Sequence, residues 1–172
     1  MKSGKIFSTA LIVLLINSIS LSFAFSELSE TPLKQVYLSY FELKNTLVNS
    51  DKTESSSKAE VLLSSFDQVD MKTLSHESHM VWMKVLPVLK KTTSAINSSK
   101  SIEEQRSHFS KLSDNLYIIL KSDKQAQKTY YQFCPMANDG KGANWLSEFS
   151  AVKNPYFGSS MLTCGKTKET LN

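Results

Sequence analysis

SIEEQRSHFSKLSDNLYIIL, residues 101–120, is the stretch whose reading decides the fold. Ser101 places a hydroxyl where a helix N-cap accepts a backbone N–H, and Glu104, three residues on, completes a capping box. Ile102, Phe109, Leu112, Leu116, Ile119 and Leu120 then recur at steps of three and four. That spacing puts them on one face of a helix whose other face is polar. Such a stripe must be buried against something.

Working back toward the N-terminus, residues 31 to about 127 contain no glycine, and three more helical stripes appear. Thr31 and Pro32 suit the cap and first position of a helix carrying Leu33, Val36, Tyr37, Tyr40 and Leu47 on one face. Asp51 with Glu54, or Ser57 with Glu60, boxes the start of a second, with Ala59, Leu62, Leu63, Phe66 and Val69 inward. A third, about 71–97, turns Leu74, Val81, Trp82, Val85 and Leu89 inward, and Pro87 should kink or divide it. Four amphipathic helices with short polar connections imply an all-α fold, a four-helix bundle.

The first 24 residues read as an export signal. Lys2 and Lys5 precede an apolar run from Ile6 to Ile16, and Ser22-Phe23-Ala24 supplies small residues for cleavage. The uninterrupted core, Ala10 to Ile16, is short of the roughly 18–20 residues that span a bilayer. The expectation is therefore a periplasmic or secreted protein of one domain, residues 25–172, with no stable membrane anchor once the signal is cleaved. Loss of two lysines and no acid lowers the formal charge from +4 to +2. With Arg106 the sole arginine and no basic stripe, nucleic acid has no footprint here.

From Tyr130 onward the composition changes. Four of the five glycines and seven aromatic residues fall in 130–172. Thr129 to Phe133 suits an extended segment and Trp145 to Phe149 one helical turn. Asp139-Gly140-Lys141-Gly142 and Asn154-Pro155-Tyr156 suit turns. This C-terminal aromatic and glycine-rich extension, carrying short extended segments, should lie on the bundle. Residues held by such turns are where function concentrates.

The chemistry of the extension lies in two sulfur motifs. Cys134-Pro135-Met136 and Met161-Leu162-Thr163-Cys164 each set a thiol and a thioether within three positions, the second followed by Gly165. If they meet, four soft donors face one point, a set that selects Cu(I) over hard cations. Two cysteines in an exported protein also suit a structural disulfide, closing a loop of about 30 residues for roughly 3–4 kcal/mol. Both readings stand, and a reversible disulfide would gate the metal site.

The blocks Cys134-Pro135-Met136, Trp145-Leu146-Ser147, Asn154-Pro155-Tyr156-Phe157-Gly158 and Met161 to Gly165 resemble a small exported helical family of unknown function. So does Ile102-Glu103-Glu104-Gln105-Arg106 with Phe109 and Ser113. That family's domain also occurs fused to periplasmic adaptor subunits of copper/silver-type heavy-metal efflux pumps. The resemblance implies periplasmic metal handling, with such an adaptor or another envelope metal-handling protein as partner. Cys-Pro-Met also resembles the core of heavy-metal-binding modules that continue His-Pro, where this chain continues Ala137-Asn138.

The third helix offers a second candidate metal face, where His76 and Met80, and His79 and Met83, are one turn apart. Its alternative is a solvated helix face. No Gly-x-Ser-x-Gly, His-Glu-x-x-His or phosphate-loop pattern occurs, so no enzyme is expected, and for a nucleophilic Cys134 or Cys164 nothing aligns a base and an orienting acid. The reading is an exported Cu(I)-binding protein with Cys134, Met136, Met161 and Cys164 as ligands. Trp145, Tyr156 and Phe157 would shield the site, and Asn154, Pro155, Gly158 and Gly165 would shape it. The other reading is a non-catalytic, disulfide-pinned interaction module of the cell envelope.

Overall fold

The computed structural model describes residues 32–123 and 128–171. The signal segment and Thr31 lie outside them. The elements, in order, are α1 (Lys34–Val48), α2 (Lys52–Asp67), α3 (His76–Ser98), α4 (Ile102–Ser122), β1 (Thr129–Cys134), β2 (Ala143–Ser147), a 3-10 turn (Gly158–Met161) and β3 (Lys166–Leu171). Among the described residues, no helix is long and apolar enough to cross a membrane.

Local chemistry sets three helix starts. The side chains of Asp51, Ser75 and Ser101 each accept the backbone N–H three residues on, at Glu54, Ser78 and Glu104. The Glu104 carboxylate reaches back to the Lys100 N–H at 2.8 Å. Thus α2 starts from the Asp51 cap, and α3 begins at His76 rather than near 71, because Asp70 first holds a turn through Lys72 and Thr73. α3 runs unbroken through Pro87. Pro87 and Met83 are both exposed, so the carbonyl that loses its partner faces water.

Neighbouring helices pack α1 on α2, α2 on α3 and α3 on α4, and α4 also carries β2. The core joins Leu33, Tyr40 and Leu47 of α1, Leu62 and Phe66 of α2, Trp82 and Leu89 of α3, and Phe109, Leu112 and Leu116 of α4. Buried Gln105 ties α4 to the start of α2, donating to the Lys52 carbonyl and the Ser56 hydroxyl.

The C-terminal part corrects the all-α expectation. It is a three-stranded antiparallel sheet of order β2-β1-β3. Trp145 to Ser147 lies in β2, not in a helical turn, because Cys134 pairs with Ala143 and Gln132 with Trp145. The short extended segments expected there thus pair into a sheet, with Lys166–Leu171 as its third strand. The sheet is bound into the bundle. Tyr40 Oη lies 2.7 Å from Ser113 Oγ and accepts the Leu146 N–H at 3.1 Å. Lys44, buried in α1, donates to Glu148 at 2.6 Å.

Candidate functional site

β1 ends at Cys134, and the turn before β3 ends at Cys164. Antiparallel pairing of Phe133 with Lys166 brings the two cysteines side by side. Their sulfurs lie 3.2 Å apart and are not bonded to each other. Cys134 is fully buried, whereas Cys164 is half-buried. Cys164 opens onto a cavity of about 290 Å³ lined also by Phe133, Pro135, Gly165 and Lys166. The hydrogen bond with Cys134, then burial, then the charge of Cys134 push the Cys164 thiol above its ordinary value.

Two residues make the approach possible. Gly165 has φ +141°, and a Cβ there would lie 2.8 Å from the Phe133 carbonyl oxygen and 2.9 Å from the Trp145 ring. Only glycine lets this backbone pass so close to β1. Asn154 is buried and spans the loop. Its Nδ2 donates to the Cys164 carbonyl at 2.7 Å, and its Oδ1 accepts the Tyr156 N–H at 2.8 Å. Its own N–H donates to the Leu162 carbonyl. A second fixture holds this loop to the helices. Arg106 donates to the carbonyls of Pro155 and Leu47 and to Ser50 Oγ. Gly158, at φ +57°, packs where a Cβ would meet Ser50 Oγ and the Val48 carbonyl.

Trp145 and Tyr156 form an edge-to-face pair with centroids 6.0 Å apart, both buried beside this loop. Tyr156 also donates to the Asn144 carbonyl. Phe157 is partly buried against the core. Met161 is half-buried, and its carbonyl accepts the Cys164 N–H at 3.0 Å. Met136 is 57% exposed and lines a different cavity, of about 280 Å³, with Arg106, Tyr156 and Phe157. The motifs therefore meet through their cysteines, while Met136 opens onto other surroundings.

On α3, His76, Met80 and Met83 are exposed and His79 is half-buried, so this face is solvated. Among the described residues, no group of three or more His, Cys, Asp or Glu is disposed to hold a metal. Arg106 as a fastener and the Lys44–Glu148 pair are not marked by any sequence motif. The one signal was the solitary arginine, since a guanidinium is suited to several carbonyls at once.

A family model described as "Protein of unknown function (DUF3347)" matches residues 36–128, more than half of the chain. The match runs from within α1 through α4 and ends before β1, so both sulfur motifs lie beyond it. No curated protein and no solved structure matches.

Proposed function

The chain belongs to the DUF3347 family, and from that premise we propose that it is an exported, non-catalytic soft-metal-binding protein that holds Cu(I) between Cys134 and Cys164. The observation that carries this reading is the approach of the two sulfurs to 3.2 Å. Thiolates select Cu(I) among the available ions, and this soft ion accepts a low coordination number. One buried ligand and one at the mouth of a cavity give both shelter and an entry path. Met161, whose carbonyl accepts the Cys164 N–H, belongs to the same turn and would be a further sulfur donor. The bound ion would pass toward an efflux adaptor or another envelope metal-handling partner.

The test is anaerobic competition between reduced protein and a chromogenic Cu(I) chelator. The wild type is expected to take up about one Cu(I), and C134S and C164S each to lose it. Unchanged affinity in both variants overturns the proposal.

The same sulfur contact favours a second reading, in which the pair is oxidised and the protein is a disulfide-stabilised interaction module. Thiol counting on protein taken directly from its native compartment separates the two. Blocked thiols without metal support the module, and free thiols with metal support Cu(I) binding.

A further inference from the structure

The two sulfurs differ in access. Cys134 is fully buried at the end of β1, while Cys164 is half-buried and borders the cavity formed with Phe133, Pro135, Gly165 and Lys166. An external sulfur compound therefore meets Cys164, with Cys134 3.2 Å behind it. The cavity has apolar walls with an exposed ammonium, Lys166, beside it. Lys168, on the same strand, stands 5.0 Å over the Phe133 ring. This combination suits a small disulfide that carries carboxylates.

We propose that the pair exchanges stoichiometrically with small anionic disulfides, Cys164 forming the mixed disulfide and Cys134 resolving it. The proposal shares its cysteines with the Cu(I) reading but needs no metal. In the first step the Cys164 thiolate attacks one sulfur of R–S–S–R. The Cys164–S–S–R bond forms, the external S–S bond breaks, and R–S⁻ leaves to take up a proton. In the second step the Cys134 thiolate attacks Cys164 Sγ. The Cys134–Cys164 bond forms, and the second R–S⁻ leaves and is protonated. Two protein thiols are oxidised, one external disulfide is reduced to two thiols, and the two cysteine protons end on the leaving groups. The resolving step is short, because 3.2 Å exceeds the bonded S–S distance by only about 1 Å. Exchange of this kind depends on access and on thiolate fraction, and burial withholds the first from Cys134.

The experiment uses reduced, metal-free full chain in chelator, treated with oxidised glutathione under nitrogen, acid-quenched and weighed by mass spectrometry. The wild type is expected to lose two hydrogens and retain no glutathione. C134S is expected to trap one glutathione on Cys164 at least about tenfold faster than C164S traps one on Cys134. In denaturant the two variants should react alike, which assigns the difference to the fold and not to the thiols. K166E should slow the reaction with oxidised glutathione more than that with neutral hydroxyethyl disulfide. The proposal is overturned if C164S reacts as fast as C134S, if neither is modified, or if the wild type retains glutathione without closing. Equal slowing of both disulfides by K166E overturns the assignment of an anionic substrate. Because no metal is present, failure of the Cu(I) reading leaves these outcomes unaffected.

Discussion

Gly165 carries the approach of the two thiols, because any side chain there would strike the Phe133 carbonyl and the Trp145 ring together. Gly165→Ala is expected to destabilise the fold by about 1–3 kcal/mol, since both the left-handed backbone and the contact resist it. It should also slow closure of the Cys134–Cys164 disulfide, read as the rate of thiol loss under mild oxidant. An Ala variant that closes at the wild-type rate would show that the sulfurs do not depend on this glycine. The Cys164 thiol itself makes a pH prediction. Its pKa is raised in the folded state, chiefly by the hydrogen bond with Cys134. A group of that kind contributes stability below the ordinary thiol range and loses it as pH rises through the folded value. Reduced protein should therefore lose urea resistance as pH climbs past the ordinary thiol range, and C164S should lack that component. The same proton competes with metal, so apparent Cu(I) affinity should rise with pH over that interval.

At the scale of elements, the fastening of the sheet to the bundle is concentrated at few points. Lys44 in α1 is buried, and desolvation holds its pKa below the ordinary value although Glu148, just after β2, opposes that shift. Glu148→Gln leaves that ammonium without its counter-charge. The expected loss is about 2–4 kcal/mol, moderated because Glu148 keeps an edge in solvent. Adding Lys44→Met should restore much of it, as measured by urea unfolding. If Glu148→Gln alone costs nothing, the pair is not what holds β2 to α1. These fasteners explain which elements were legible in the sequence. α4 could be read because its cap, its box and its stripe all lie within twenty-one residues. β2 could not, because Trp145, Leu146 and Ser147 are all buried and show no alternation. β3 is a polar edge strand, KTKETL, with no apolar pattern to mark it, and only pairing with β1 makes it a strand. The site divides in the same way. The sulfur motifs announced themselves by residue type, but the turn after Pro135 carries Met136 to another cavity, and hydrogen bonds from the Lys141 N–H to the Asn138 carbonyl and from the Gly142 N–H to the Ala137 carbonyl close that turn. Left-handed backbone at Asn138, Asp139 and Gly140 shapes it, a conformation that residue spacing does not reveal.

For the whole molecule, the question is whether bundle and sheet unfold as one unit, and the chain carries a reporter in each. Trp82 lies in the bundle core, edge-on to Phe66, and Trp145 lies in β2 against Tyr156. Both are fully buried. Variants W145F and W82F thus leave single fluorophores for the bundle and the sheet respectively. Tyr40, Arg106 and Lys44 each bond across the boundary, to the Leu146 N–H, the Pro155 carbonyl and Glu148, so the two parts should melt together. Oxidation of Cys134 and Cys164 closes a loop of 30 residues that lies wholly in the sheet part. In the chain-entropy view this stabilises the native state by roughly 3–4 kcal/mol. If folding is cooperative, that gain must reach the helices. Urea curves from Trp82 and from Trp145 should then coincide in reduced protein and move together on oxidation. A shift confined to Trp145 would mean that the sheet opens by itself. The dithiol could then be exposed without loss of the bundle, and access to Cys134 would be set by local opening and not by the folded structure.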